Sequence, residues 1–176
     1  MVIRAEKLDD VAAIRLVNRL AFGREDEGAL VDALREAGAV ICSLVAEDAG
    51  RVVGHVLYSP ATLDDGGDPP SVAGNGVTAV AALGPVAVTP DHQRQGIGDA
   101  LIRAGLDICR AQGYRLAIVL GHPSYYPRFG FRPSRPLGIR WEHDAPEEAF
   151  MVMELQAGAL AGARGVIRYR PEFDGV

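Results

Sequence analysis

The chain has 176 residues, 48% of them hydrophobic and 23% charged, with a formal net charge of -5 and two cysteines. That length and composition suffice for one compact domain with its own core, and the acidic balance gives no basis for a nucleic-acid or anionic-membrane partner. No apolar run approaches the roughly 18 residues of a membrane span, and Met1-Val2-Ile3-Arg4-Ala5-Glu6 lacks the basic-then-apolar layout of a signal peptide, so a cytoplasmic protein is expected.

Val2 to Ala5 reads as a first strand, after which Asp9 or Asp10 caps a helix carrying Val11, Ile14, Val17 and Ala21 on one side. A second short helix, about Glu27 to Ala37, has Leu30, Leu34 and Ala37 at helical spacing and stops at Gly38. The acidic start of that helix, Glu25 to Glu27, suits the positive end of a helix dipole. Val40 to Glu47 and Arg51 to Ser59 form a hairpin about Asp48-Ala49-Gly50. His55 lies in the second of these strands, followed by Val56, Leu57 and Tyr58, an alternation that does not fix its face. It is either a satisfied structural histidine or a general base. Asp64 to Gly76, rich in Gly, Pro and Asp, forms no regular element and is expected to be a mobile excursion. Val77 to Val88 returns to strand character, interrupted by Gly84-Pro85, and a proline inside a strand marks an edge or a bulge.

The run from Leu83 to Leu120 organises the rest. A polar loop with Gly96 and Gly98 leads into a helix with Ile97, Ala100, Leu101, Ala104 and Ile108 on one side, ending near Gly113, and Leu116 to Leu120 follows as a buried strand. A strand-to-helix turn of this kind leaves amide N–H groups without intrahelical partners, and with the helix dipole they favour a phosphate or pyrophosphate. The turn is not a P-loop, since Gly98 is followed by Asp99 where a lysine is needed, nor a dinucleotide GxGxxG, since the third position after Gly98 is Leu101. Cys42 and Cys109 read as small core residues kept reduced. His55, His92, His122 and His143 show no metal-ligand spacing, so no metal is expected. Tyr125 and Tyr126, before Phe129 and Phe131, are either a proton donor and its neighbour or stacked core aromatics. Pro133 to Glu148 is irregular and carries the single tryptophan, Trp141; Phe150 to Leu155 is a last strand, and Val166 to Val176 packs as an extension or frays.

Gln93-Arg94-Gln95-Gly96-Ile97-Gly98 resembles the Q/R-x-x-G-x-G/A loop of the GNAT superfamily of acyl-CoA-dependent N-acyltransferases, and Tyr126-Pro127-Arg128-Phe129-Gly130-Phe131 resembles that family's Tyr-x-x-x-Gly-Phe segment, in the same order. The resemblance implies an α/β fold with a mixed central β-sheet, splayed between the fourth and fifth strands and flanked by helices. It implies one domain over residues 1–176, with a core of about 1–155 and an extension over 156–176. Acetyl-CoA would be the cosubstrate, its pantetheine arm pairing with main chain near Val86 and Val88 and its pyrophosphate on Gln93, Arg94, Gln95, Gly96, Ile97, Gly98 and Asp99. Tyr126 matches the family's general acid, with Tyr125 as the fallback, and the base stays open among His55, His122, Glu25 and Glu27. Gly121 and His122 stand where many relatives carry an asparagine that supports the cofactor arm, so that contact is not carried over. The activity implied is transfer of an acetyl group to a primary amine of a small molecule or peptide, by direct attack in a ternary complex. The alternative is a non-catalytic acyl-CoA-binding or regulatory module. Dimerisation is common in the family, which admits a homodimer, although no residue here specifies an interface.

Overall fold

The computed structural model of the chain describes residues 1–65 and 77–175. The excursion expected over Asp64 to Gly76 lies, from residue 66 onward, outside them. Contacts group the chain into two compact units, each assembled from separated stretches: Met1–Ser59, Leu83–Cys109 and Arg170–Val176 make the first, Pro60–Ala82 and Arg110–Tyr169 the second. The chain crosses from one unit to the other inside two long strands, β3 (Arg51–Asp64) and β4 (Val77–Val88).

In the first unit, β1 (Val2–Ala5) pairs antiparallel with β2 (Cys42–Asp48), which pairs antiparallel with β3. The β2–β3 connection is as tight as the sequence suggests, because Ala49 (φ 48°) and Gly50 (φ 78°) both take the left-handed conformation that such hairpin turns need. Helix α1 (Val11–Phe22) buries Ile14 and Val17, and α2 (Asp26–Glu36) buries Leu30, Val31 and Leu34. Ile14, Leu30, Val31 and Leu34 pack with Val45 and Leu57 into one apolar cluster, joined by Phe173. Helix α3 (Ile97–Ala111) covers the opposite face of β3: the Tyr58 hydroxyl donates to the Ile102 carbonyl at 2.9 Å, and a Cβ at Gly105 would lie 2.1 Å from the Tyr58 ring. A strand covered on both faces loses the alternation of a half-buried one. Accordingly β3 is buried without interruption from Val53 to Ser59, which is why the sequence could not assign a face to His55.

The expected cap at the start of α1 is corrected. Asp10 stands at the cap position but makes no side-chain cap. Its carboxylate instead accepts both arms of the Arg4 guanidinium, at 2.6 and 3.0 Å, and the Lys7 amide at 2.7 Å. A charge-assisted fork outcompetes a single amide bond, and it holds the Asp10 carboxyl below the usual carboxylate range.

In the second unit, β4 pairs parallel with β5 (Leu116–Leu120) through Val80↔Leu116, Ala81↔Ala117 and Ala82↔Ile118. The ladder closes there, whereas β4 runs on to Val88, in keeping with the expected parting of the fourth and fifth strands. Pro85, with no N–H to give, falls beyond the last β4–β5 ladder pair, and β4 stays a single strand. Outside β5 lie, in chain order, β6 (Arg132–Pro133), β7 (Ile139–Trp141), β8 (Phe150–Glu154) and β9 (Gly165–Arg168). β8 pairs antiparallel with β5 and β6, while β9 pairs antiparallel with β3 and parallel with β7. One expectation changes here: the stretch from Pro133 to Glu148 contains a strand. Of the two readings of the segment from Val166, packing holds for β9, because Ile167 is fully buried in a cluster with Leu63, Ile139 and Phe150. Among the described residues no helix is long and apolar enough to cross a membrane.

Candidate active site

The glycine turn belongs to the first unit. β4 ends at Val88, a short 3-10 turn covers Pro90–His92, and α3 begins at Ile97. The loop between is pinned to the strands that precede it: the Thr89 amide donates to the Val53 carbonyl at 2.9 Å, and the Gln93 side-chain amide donates to the Val88 carbonyl at 3.0 Å. Gln95 likewise donates to the Asp91 carbonyl at 3.0 Å. Both glutamine side chains therefore shape the loop, leaving its main chain to face outward. Arg94 (φ 62°) and Gly96 (φ 82°) both take the left-handed conformation. A non-glycine residue held there costs about 1–2 kcal/mol and persists where its surroundings dictate it. Alternating left-handed residues turn successive amides to one side and make a concavity for an anion. Among the described residues the first amide to enter the helical ladder is that of Ala100, donating to the Gly96 carbonyl at 3.0 Å. The earlier amides, Arg94 to Asp99, stand at the positive end of a 15-residue helix. On β4, Val86 and Val88 are half-buried and alternate with buried Pro85 and Ala87, which puts them on one face.

The tyrosines belong to the second unit. Gly121, past the end of β5, is followed by a 3-10 turn over Tyr126–Phe129 that ends at Gly130 (φ 103°). The turn stacks its rings edge to face: Tyr126 lies 5.1 Å from Tyr125 and 5.9 Å from Phe131, centroid to centroid. Arg128 sits 4.5 Å over the Tyr125 ring, a cation-π contact that commits Tyr125 to the surface of this cluster. Burial pushes the Tyr126 phenol up to about 12. It therefore holds its proton throughout the neutral range, as a donor must. Sequence reasoning missed the seat of this ring. A Cβ on Gly121 would fall 2.1 Å from Tyr126 Cε2, so the ring packs against a space that only glycine leaves open. The signal was present as the departure from the family's asparagine, but its cause lies in the packing.

The base candidates separate by what already holds them. His55 is fully buried and bonded at both ring nitrogens. The Ser43 hydroxyl donates to Glu6 and so accepts from His55 Nε2–H at 2.9 Å, while His55 Nδ1 accepts from the Asn18 amide at 3.3 Å. Burial pushes its pKa down to about 4, so it stays neutral. Burial alone would raise the Glu6 carboxyl, but the hydrogen bonds from Arg35 and Ser43 outweigh it and hold the carboxyl low. The Glu27 side chain is buried and clasped by Arg24, whose Nε lies 3.0 and 3.2 Å from its two oxygens. Glu25 is exposed and paired with Arg19 at 3.5 Å. His122 is exposed, and its carbonyl accepts the Tyr125 and Tyr126 amides at 3.0 and 3.4 Å. No group of three or more His, Cys, Asp or Glu among the described residues could hold a metal ion.

A mixed sheet flanked by helices, with a glycine turn after the fourth strand and a half-buried phenol after the fifth, is the architecture expected of an acyl-CoA-dependent transferase. The model of the acetyltransferase (GNAT) domain matches residues 2–134. The Escherichia coli protein named "Uncharacterized N-acetyltransferase YhbS" is 34% identical over 175 residues, covering 99% of both chains. The crystal structure of YhbS in complex with CoA superposes with a TM-score of 0.86 at 33% identity, over 98% of this chain and 91% of that one. A GNAT acetyltransferase from Brucella melitensis, solved with acetyl-CoA, gives a TM-score of 0.74 at 36% identity over 98% and 97%. The chain belongs to the GNAT acetyltransferase family. Membership implies an acceptor substrate and does not favour the reading as a non-catalytic module.

Proposed function

We propose that the protein transfers the acetyl group of acetyl-CoA to a primary amine by direct attack, with Tyr126 as the general acid. The observation that carries the cosubstrate is the amide-lined turn from Arg94 to Asp99, with Arg94 and Gly96 in the left-handed conformation, together with the CoA and acetyl-CoA bound by the two related proteins. The turn takes the pyrophosphate, and the main chain around Val86 and Val88 takes the pantetheine arm. The amine nitrogen forms a bond to the thioester carbon, the C–S bond breaks, and of the two protons an ammonium acceptor must lose, one ends on sulfur and one in solvent. Full transfer from a phenol at about 12 to a thiolate of ordinary acidity, near 8.5, is uphill by about 5 kcal/mol. Tyr126 therefore donates a hydrogen bond as charge develops on sulfur, and yields its proton only as the nitrogen of the intermediate returns one. Of the base candidates, His122 is the least committed to other partners, whereas His55 and Glu27 are held in structural pairs.

Calorimetric titration with acetyl-CoA, using ATP as the competitor ligand and Gly98→Glu as the blocked variant, tests the cosubstrate. Saturable binding that the variant loses is expected, because a carboxylate at that turn repels the pyrophosphate. Absence of binding to the folded wild type would overturn the reading.

A further inference from the structure

The second unit holds a cavity of about 490 Å³, lined in part by Arg140, Trp141, Glu142, His143, Asp144 and Phe150. That volume is in the range of small-ligand sites. Its aromatic floor is Trp141, stacked on Phe150 at 5.8 Å with 16° between the planes. Tyr169 meets Trp141 edge to face at 5.7 Å, and the Ala149 carbonyl, next to Phe150, accepts at 2.9 Å from the amide of Gly121, the seat of Tyr126. The cavity floor thus adjoins the strand end that seats the candidate acid, and an acceptor reaching Tyr126 would leave its far end here. The charged groups of the wall are mostly paired among themselves: Arg168 with Glu142 at 3.0 Å and Arg135 with Glu147 at 3.5 Å. Arg140 and Asp144 are the exceptions. Both are exposed, and neither has an ion-pair or hydrogen-bond partner among the described residues.

We propose that this cavity selects an acceptor whose far end is a zwitterion, an α-amino acid carrying a second amine on its side chain. Its α-carboxylate takes the Arg140 guanidinium, its α-ammonium takes the Asp144 carboxylate, and the aliphatic stem lies over Trp141. The side-chain amine then extends toward Tyr126 and receives the acetyl group. The inference rests on the acetyl-transfer reading for that last step alone; the clamp itself does not. One free cation and one free anion on a single wall match a ligand with both charges and disfavour a polyamine, which would leave Arg140 without a counter-charge.

The test is calorimetric titration of the whole protein, with and without CoA, using L-lysine, 1,5-diaminopentane and 6-aminohexanoate. L-lysine is expected to saturate, with the two truncated probes weaker by about tenfold or more, since each leaves one charged group without its partner. Arg140→Ala should erase the preference over 1,5-diaminopentane and Asp144→Ala the preference over 6-aminohexanoate, with an unchanged thermal midpoint as the check on folding. Arg140→Lys should restore part of the first preference. No saturable lysine binding, or a preference that survives both substitutions, would overturn the proposal. Lysine binding without lysine-dependent CoA release from acetyl-CoA would sustain the clamp and refute acetyl transfer to this amine.

Discussion

Replacing Gly121 with alanine adds one methyl group at the seat of Tyr126. The new Cβ would lie 2.1 Å from Cε2, 2.9 Å from Cδ2 and 3.1 Å from Cζ of the ring, where ordinary contact begins near 3.4 Å. The ring edge must therefore retreat by about 1.3 Å (3.4 - 2.1). Its neighbours leave little room: Tyr125 and Phe131 stand 5.1 and 5.9 Å away, each edge to face. Gly121 does not have a positive φ, so the backbone accepts alanine and the perturbation is confined to the phenol. Displacement of a catalytic group by about 1 Å costs on the order of 100-fold, within the roughly 10²- to 10⁴-fold a general acid supplies. The expected result is a kcat lower by about 100-fold, equivalent to about 2.7 kcal/mol, with acetyl-CoA affinity unchanged. Amine-dependent thiol release gives kcat, and calorimetry gives the affinity. Because both substitutions act through one phenol, adding Gly121→Ala to Tyr126→Phe should cost nothing further. A Gly121→Ala enzyme that turned over like the wild type, or losses that summed in the double variant, would refute the account.

Acid should weaken the fold through His55. Its pKa is about 4 when folded against 6.5 when free, so the unfolded chain binds the extra proton in that window. Stability is therefore full above pH 6.5 and falls by roughly 3 kcal/mol on the way to pH 4. His55→Gln, which can serve the same two partners without titrating, should flatten the slope of the thermal midpoint over that range. At the alkaline end the sign reverses: Tyr126 is about 12 when folded against 10 when free, so folding stability should fall from pH 10 toward 12 and Tyr126→Phe should remove part of that fall, as denaturant titrations would report. Gly105→Ala drives a methyl to 2.1 Å from the buried Tyr58 ring. Overpacking of that kind costs about 1–3 kcal/mol or more, and should lower the thermal midpoint by roughly 2–4 °C per kcal/mol in a chain of this size.

The parts of the site legible in the sequence are those where one residue type has one physical use. Gly96 is such a residue, since its left-handed turn admits few alternatives, and the order of strand, turn, helix and strand followed from apolar spacing. Tyr126 stood out by its position before Gly130-Phe131, and the structure sets it at the start of the 3-10 turn there. What the sequence hid depends on contacts between distant residues. Asp10 looked like a cap because nothing local revealed that Arg4 would claim it. Gly121 looked like a lost asparagine because its role is the volume it leaves to a ring five residues later. β9 looked like a tail because its partners, Leu63 on β3 and Trp141 on β7, lie far back in the chain. Arg140 and Asp144 gave no signal, since a missing partner is visible only when the surroundings are.

Asn18 on α1, His55 on β3, Ser43 on β2, Glu6 after β1 and Arg35 on α2 form one unbroken line of donors and acceptors through the first unit. Each link strands the next if it is pulled out, and a stranded buried donor or acceptor costs about 1–3 kcal/mol. Three strands and two helices are thereby made to open together, so native-state amide exchange should find their slowest protons leaving in a single cooperative event. A fully buried histidine would then set the exchange threshold of the scaffold that carries the glycine turn.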